Sequence, residues 1–230
     1  MSAGDVVRTT MRGVGQTLIT LGMVVLLFCV YELQFTNVVA AREQDRQSKQ
    51  LSQLWTEPAP PPAPGVPPVV LTPLGGDAFA KLHVPALEGY EAVNIVEGVS
   101  IADLKKGGPG HIPGTALPGA LGNVVLSGHR TTYGAPFNRW AELAPGDEIV
   151  IETRDQWFTY AVTGSTIVAP TAIEVTYAVP GDATATPTKR LLTMTTCNPK
   201  YSARERLIVS AELTATDPKS AGLPAALRRA

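Results

Sequence analysis

Leu191-Leu192-Thr193-Met194-Thr195-Thr196-Cys197-Asn198-Pro199 predicts a β-strand that ends in a cysteine, and the rest of the domain can be placed around it. Apolar side chains at 192 and 194 alternate with those at 193, 195 and 197, so the cysteine sulfur shares a face with two threonines. The Asn-Pro pair then ends the strand, because proline has no N–H for a β-ladder and asparagine favours turns.

A second strand is predicted at residues 206–213, one short loop after the cysteine. Its apolar side chains at 207, 209, 211 and 213 point one way, and Arg206 opens the more polar face. A free cysteine at a strand end with an arginine nearby suggests a thiolate nucleophile served by a positive charge. Arg204 competes for the arginine role, but Arg206 is favoured because it directly starts the apolar alternation.

The nucleophile needs a base, and the best candidate is His129. It lies in the run Asn-Val-Val-Leu-Ser-Gly-His-Arg at residues 123–130. Val124 and Leu126 alternate with their neighbours, which predicts a strand that ends at His129. Gly128 allows a close backbone approach just before the histidine. The chain thus offers a cysteine and a histidine, each at the end of a strand.

Three motifs together resemble those of sortases. Residues 193–197, Thr-Met-Thr-Thr-Cys, are similar to the Thr-Leu-x-Thr-Cys signature with Met in place of Leu. Residues 127–130, Ser-Gly-His-Arg, resemble the histidine motif, and Arg206 has the family's spacing of nine residues from the cysteine. The runs Thr-Thr-Cys-Asn-Pro and Arg-Leu-Ile-Val look most like class E sortases of high-GC Gram-positive bacteria.

The resemblance covers roughly residues 79–213 and implies a fold. Short strands separated by turn signals already predict an all-β barrel or sandwich. The sortase resemblance sharpens this to an eight-stranded β-barrel with short helices. It also implies that the Thr-, Ala- and Pro-rich loop at 170–187 forms a wall of the substrate groove.

The resemblance further implies a cysteine transpeptidase mechanism. Cys197 attacks the threonine carbonyl of a Leu-Ala-x-Thr-Gly-like sorting signal on a surface protein, and Arg206 holds the oxyanion or the peptide backbone. His129 protonates the departing glycine amine. It then deprotonates the amine of a cell-wall precursor or a pilin lysine, which resolves the thioester. No acidic residue is evident to orient the imidazole.

Further residues are expected to contact the peptide: Thr195, Thr196, Tyr133 and Tyr201. For each tyrosine, ordinary loop packing is an equal alternative. No cofactor is expected, and no metal site, because clustered His and Cys ligands are missing. His83 and His111 are interpreted as structural or surface groups, and Cys29, in an apolar run, as a small buried hydrophobe.

Other functional classes are weighed against this one. The formal net charge of −1 gives no argument for a nucleic-acid partner. An L,D-transpeptidase would carry a Ser-His-Gly-Cys run, which the sequence lacks. The alternative from another class is an anchored, non-catalytic β-domain that binds surface proteins, and an inert Cys197 would support it.

The N-terminal part predicts a membrane anchor. Residues 1–12 carry Arg8 and Arg12, and residues 13–31 contain no charge, so a transmembrane helix is predicted within 13–36. A cleaved signal peptide is the alternative. The two arginines favour a cytoplasmic N-terminus, which predicts a single-pass protein of the cell membrane with its catalytic domain outside.

The remaining boundaries follow from composition. Residues 37–57 predict a solvated juxtamembrane helix, with Leu51 on its apolar stripe, and residues 58–76 a semi-rigid, proline-rich linker. The catalytic domain is placed at 77–214, and residues 215–230 are expected to form a frayed tail.

Overall fold

The computed structural model describes residues 3–56 and 75–228, without the side chains of 32–34. Eight strands form a closed barrel in the order β1-β2-β3-β4-β7-β8-β6-β5, and β5 pairs back with β1. The predicted all-β, eight-stranded barrel is therefore confirmed. The strands are β1 Ala78–His83, β2 Val93–Glu97, β3 Gly110–His111, β4 Gly122–Ser127, β5 Glu148–Glu152, β6 Gln156–Val168, β7 Arg190–Asn198 and β8 Glu205–Pro218.

Helical elements are few and mostly short. They are α1 Ala3–Thr56, α2 Ile101–Leu104 and α3 Ala225–Arg228, with 3-10 turns at Trp140–Glu142, Ile173–Thr176 and Lys219–Ala221. α2 is capped at its N-terminus: Ser100 and Asp103 form a reciprocal capping box that satisfies two backbone N–H groups. The predicted proline-rich linker at 58–76 lies, up to residue 74, outside the described residues.

The barrel interior is filled by one face of each strand, as the alternation predicts. Leu192 and Met194 of β7 and Leu207 and Val209 of β8 all belong to the buried core. Residues of opposite parity, including Cys197, lie on the outer face. The same alternation that fills the barrel therefore puts the candidate nucleophile on its outside.

Strand pairing then brings the motifs together. β4 and β7 are parallel, with Ser127 opposite Thr195, and the Gly128 N–H donates to the Thr195 carbonyl at 3.1 Å. β7 and β8 are antiparallel, with Cys197 opposite Arg206. Two strand ends and one strand start therefore meet at the same edge of the barrel.

The short strand β3 lies inside a segment rich in glycine and proline, residues 107–122. β3 pairs parallel with β2 and antiparallel with β4, and so closes the barrel on that side. Its two residues are too few to give any alternation in the sequence. His111 is held there by Glu97 and Thr115 at 2.6 and 2.9 Å from its ring nitrogens.

The C-terminal segment is ordered rather than frayed, which corrects the prediction. β8 continues past Leu213 and pairs with β6 as far as Pro218 opposite Gln156. In α3, Ala226 is buried against Val150 and Trp157. This extension has little signal in the sequence, because the side chains of residues 214–218 in β8 are mostly polar or small.

α1 is one continuous helix, and its first part is long and apolar enough to cross a membrane. None of that part is buried against the rest of the protein. The exposed apolar side chains run from Val6 to Tyr31. This arrangement is what an anchor requires, since lipid rather than protein would cover these side chains.

The second half of α1 is not a solvated stalk, because it packs along the barrel. Gln44 and Ser48 make hydrogen bonds with Asn94 of β2, and Leu51 is buried. At the far end, Lys219 lies 4.2 Å from the centre of the Trp55 ring. The sequence pattern missed this contact because amide and hydroxyl groups, rather than a wide apolar stripe, make most of it.

Candidate active site

Cys197 and His129 lie at corresponding levels of two neighbouring parallel strands. The Gly128 N–H bond to the Thr195 carbonyl extends the pairing of Ser127 with Thr195 by one residue, and the same register would place His129 level with Cys197. Both residues are partly exposed on the outer face of the barrel. Glycine is required at position 128, directly before His129, because a Cβ there would lie 2.8 Å from the Phe137 ring.

The His129 imidazole makes no hydrogen bond within residues 3–56 and 75–228. The His129 ring contacts the Tyr133 ring, with centroids 5.1 Å apart. Lys105 Nζ lies 5.5 Å from the centre of the Tyr133 ring. Burial lowers the pKa of His129 below its usual value, and the positive charge of Lys105 lowers it further. The imidazole is therefore neutral near pH 7 and free to accept or donate a proton.

Arg206 lies across from Cys197, with part of its guanidinium uncommitted. Nη1 donates to the carbonyls of Ala203 and Glu205 at 2.9 and 3.0 Å. Nε and Nη2 make no hydrogen bond to any described residue. The competing Arg204 lies before β8 in an exposed loop, so the structure puts Arg206 rather than Arg204 in register with the cysteine.

A second arginine, Arg130, binds the cysteine backbone directly, and no role was predicted for it from the sequence. Arg130 is only 7% exposed and donates through Nη1 to Cys197 O at 3.1 Å and Asn198 Oδ1 at 2.7 Å. Asn198 in turn donates to Glu205 at 3.0 Å. Arg130 thus ties the end of the histidine strand to the end of the cysteine strand. Its place in the Ser-Gly-His-Arg motif was the signal.

The two threonines before the cysteine differ in orientation. Thr196 is buried, and its hydroxyl donates to Gly128 O at 2.8 Å, so the side chain fastens β7 to the histidine strand. Thr195 lies on the outer face with Cys197 and is partly exposed. Of the two, only the Thr195 side chain is open to a peptide in this structure.

The two tyrosines near the motifs also differ. Tyr133 packs on the His129 ring, and Tyr201 is 84% exposed in the loop between β7 and β8. Both have left-handed backbone conformations, with φ of 51° and 67°. The protein therefore holds a strained backbone conformation at each of these two aromatic residues.

The loop before β7 is fixed against the outside of the barrel. Asn123 of β4 is buried and donates to the carbonyls of Val175 and Tyr177 at 3.0 and 3.1 Å. These bonds hold the middle of the 170–187 loop against the start of β4. Asn123 pairs with Leu191, so this attachment lies six residues along β7 from Cys197.

No metal centre is formed by the part of the chain that the structure describes. Within it, no three His, Cys, Asp or Glu side chains lie together in a way that could hold an ion. His83 is 2.8 Å from Glu152, remote in sequence and in the barrel from the cysteine.

Comparison with known proteins agrees with this geometry. The family model described as the sortase domain matches residues 82–214. The chain belongs to the sortase family. The residues matched include the histidine and cysteine motifs and Arg206, so the match covers the whole of the site described above.

Relatives of this sortase are class E enzymes, which confirms the resemblance predicted from the motifs. Sortase SrtE2 of Streptomyces coelicolor is 33% identical over 93% of this chain and 86% of its own length. SrtE1 of the same organism is 35% identical over 94% of this chain, which spans 60% of the length of SrtE1. A crystal structure of sortase E1 from that organism, with a tripeptide in the active site, has a TM-score of 0.62 at 37% identity and covers 68% of this chain and 99% of its own.

Proposed function

We propose that this sortase is a membrane-anchored cysteine transpeptidase that cleaves a Leu-Ala-x-Thr-Gly-like sorting signal between Thr and Gly. It then transfers the cleaved protein to an amine. The observation that carries this proposal is the meeting of Cys197 and His129 at one barrel edge, with Arg206 opposite the cysteine. A nucleophile, a proton carrier and a fixed positive charge are the groups that acyl transfer needs.

In the first half-reaction the Cys197 thiolate attacks the threonine carbonyl carbon of the signal. The C–S bond forms, and the carbonyl oxygen takes the negative charge of a tetrahedral intermediate. The neutral His129 imidazole takes up the proton that the Cys197 thiol releases when it ionises, and then gives this proton to the glycine nitrogen as the C–N bond breaks. The products are a thioester on Cys197, a free glycine amine and a neutral imidazole.

In the second half-reaction an amine attacks the thioester carbonyl. The neutral His129 takes the proton that the amine loses, and Cys197 leaves as thiolate when the C–S bond breaks. A new amide joins the surface protein to the amine, and the starting protonation state returns. The amine belongs to a cell-wall precursor or to a pilin lysine.

Arg206 has donors available for the oxyanion. Its Nη1 is fixed by two backbone carbonyls, which orients the guanidinium fork, while Nε and Nη2 have no partner within the described residues. A pre-oriented donor stabilises charge that develops in the transition state without reorganisation during the reaction. Arg130 holds the Cys197 backbone from the buried side, and we assign it a positioning role.

The peptide would lie on the outer face of the barrel, between the loop at 170–187 and the loop that carries Tyr201. Thr195 and Tyr133 border that surface beside Cys197 and His129. The Thr196 hydroxyl already binds the Gly128 carbonyl, so this residue would support the peptide site by holding the cysteine strand against the histidine strand. The tripeptide in the active site of the sortase E1 structure supports a peptide substrate at this place.

We assign the chain a single membrane pass, with its N-terminus in the cytoplasm and the barrel outside the cell. Arg8 and Arg12 precede the uncharged run, and basic residues favour the cytoplasmic side. Protease added to intact cells should release the barrel. Protection of the barrel would mean that the orientation is reversed.

A cleavage assay tests the proposed reaction. Full-length protein in detergent is given a Leu-Ala-x-Thr-Gly peptide and triglycine as the amine, and the products are identified by mass spectrometry. We expect cleavage between Thr and Gly, with triglycine joined to the threonine. A peptide with Thr and Gly exchanged should not react. Binding of the peptide with no covalent product would instead support a non-catalytic binding domain.

A further inference from the structure

The loop after His129 contains three successive residues with left-handed backbone conformations. Tyr133, Gly134 and Ala135 have φ of 51°, 76° and 43°. Only glycine adopts this region without cost, and each of the other two residues stores on the order of 1–3 kcal/mol of strain. Such a turn persists only where surrounding contacts hold it.

The second half of α1 supplies those contacts. Asn37 Oδ1 accepts a hydrogen bond of 3.0 Å from the Gly134 N–H. Ala40 is 1% exposed and lies against two glycines. A Cβ built on Gly107 would be 2.9 Å from the Ala40 methyl group, and one built on Gly134 would be 3.7 Å from it and 3.1 Å from Gly107 O. Helix, α2 loop and turn therefore meet at Ala40 without spare room.

The turn in turn carries the ring that contacts the candidate acid–base group. Tyr133 packs on His129 with centroids 5.1 Å apart. The imidazole makes no hydrogen bond within the described residues, so no acid or carbonyl fixes its orientation. Packing against Tyr133 is the contact that limits where the ring points.

We propose that Ala40 and Asn37 are positioning residues for His129, acting through the Tyr133–Ala135 turn. The juxtamembrane part of α1 holds this turn in its strained conformation, and the turn holds Tyr133 against the imidazole. This inference rests on the proposed function for its effect on catalysis. Its structural content, that α1 controls the surroundings of His129, does not depend on the reaction.

The contact also lies close to the anchor. Asn37 is six residues after Tyr31, the last residue of the uncharged run, which is about 9 Å along the helix axis. The helix that fixes the protein in the membrane is consequently the same rigid element that fixes the histidine loop. Catalytic geometry and membrane attachment share one continuous helix.

Ala40→Leu and Ala41→Leu form a matched pair for testing this. Both changes add the same side chain to neighbouring positions of α1, but Ala40 is buried against the turn and Ala41 is exposed. The larger side chain of Ala40→Leu has no space and should separate α1 from the Tyr133–Ala135 turn. Leu at 41 should leave both in place.

The first measurement is the titration of the His129 ring by NMR, on full-length, histidine-labelled protein in detergent, with the signal assigned by loss in His129→Gln. Ala40→Leu should raise the His129 pKa toward its ordinary value, because water enters when Tyr133 moves away. Ala41→Leu should titrate as wild type. The charged or titratable groups on elements around the ring are unchanged in both variants: Lys105, Arg130, Tyr133, Cys197, Glu205 and Arg206.

The second measurement is peptide turnover. Ala40→Leu should lower kcat by about 10- to 100-fold, the effect of misplacing a catalytic group by roughly 1 Å, with little change in KM. Asn37→Ala removes one exposed hydrogen bond. It should raise the His129 pKa and lower kcat, each by less than Ala40→Leu does. It also decides the matter if Ala40→Leu does not fold.

Wild-type titration and kcat in a folded Ala40→Leu, or in Asn37→Ala if Ala40→Leu does not fold, would overturn the inference. Equal effects of Ala40→Leu and Ala41→Leu would also overturn it, because the contact with the turn would then be irrelevant. A shifted titration in Ala40→Leu, in a protein that turns over no peptide even as wild type, would leave the inference standing and reject the proposed function instead.

Discussion

His111 on β3 and His129 just beyond the end of the neighbouring strand β4 have opposite environments. His111 on β3 is 2% exposed, with Glu97, Thr115 and the Ala116 carbonyl around its two ring nitrogens. His129, beyond the end of β4, is partly exposed and its ring nitrogens have no partner in the described chain. A histidine fixed by hydrogen bonds stabilises a fold, whereas one left without them can exchange protons with a substrate.

The comparison is useful because it runs against a common expectation. The histidine with an acidic partner resembles the histidine of a catalytic triad, yet it lies on the β2–β3–β4 side of the barrel and the cysteine lies on β7. The histidine without an acid is the one beside Cys197. Position relative to the proposed nucleophile, rather than the presence of a carboxylate, separates the proposed catalytic ring from the structural one.

Replacing each histidine by glutamine should have contrasting effects. His129→Gln should lower peptide turnover by about 10²–10⁴-fold, the usual contribution of a general acid–base group, and leave stability within about 0.5 kcal/mol. His111→Gln should lower the free energy of unfolding by about 1–3 kcal/mol, because Glu97 loses its partner in a buried site. Turnover per folded molecule should stay near wild type.

Urea unfolding and peptide kinetics on the same preparations check both variants. The assignment fails if His111→Gln folds normally and loses turnover. It also fails if His129→Gln keeps most of its activity.

Arg206→Lys should give the next largest effect. A lysine keeps the charge but replaces the fixed fork by one flexible ammonium, so the oxyanion loses an oriented donor. We expect kcat to fall by up to about 10²–10³-fold, with KM changed much less, because that charge develops only in the transition state.

Arg204→Lys is the matched control, since Arg204 lies in the exposed loop before β8. It should leave kcat near wild type. A change in KM alone for Arg206→Lys, or greater damage from Arg204→Lys, would remove the oxyanion role from Arg206.

The smallest effect is expected from Lys105→Gln. Burial is the larger cause of the lowered His129 pKa, and the positive charge of Lys105 is the second. Removing that charge should therefore raise the His129 pKa toward its ordinary value. The rise should be small, because Lys105 is exposed and its field is screened by salt. NMR titration of the His129 ring measures it.

Lys106→Gln is the control for this change, because Lys106 instead binds Gly76 O and Asp103. The His129 pKa should not move in that variant. A fall of the pKa in Lys105→Gln would contradict the electrostatic explanation.

Sequence reasoning located the strands of the site because their signal is local. Alternation around Leu192 and Leu207 was enough to put Cys197 and Arg206 outside the barrel, and both parities are confirmed. The meeting of β4 with β7 was not local. Thr196 and Gly128, which are hydrogen-bonded, are 68 residues apart, and only the resemblance of the motifs linked the two strands in advance.

The features that could not be predicted from the sequence have one physical property in common: they give no periodic pattern of apolar residues. Arg130, Asn94 and Gln44 act through buried polar hydrogen bonds, and polar residues give no periodic signal that distinguishes such bonds from a solvated surface. The two-residue strand β3 is likewise too short for any pattern. Helix docking and the arginine between the two strand ends therefore became visible only in three dimensions.

The most direct test of the central claim is mapping of the acyl-enzyme by mass spectrometry of its proteolytic peptides. Full-length protein is mixed with a Leu-Ala-x-Thr-Gly peptide without an added amine, stopped with acid and digested. The account predicts a peptide truncated after Thr and joined to Cys197, sensitive to hydroxylamine, and missing in Cys197→Ala. Turnover of the peptide by Cys197→Ala, or an adduct on any other residue, would contradict it.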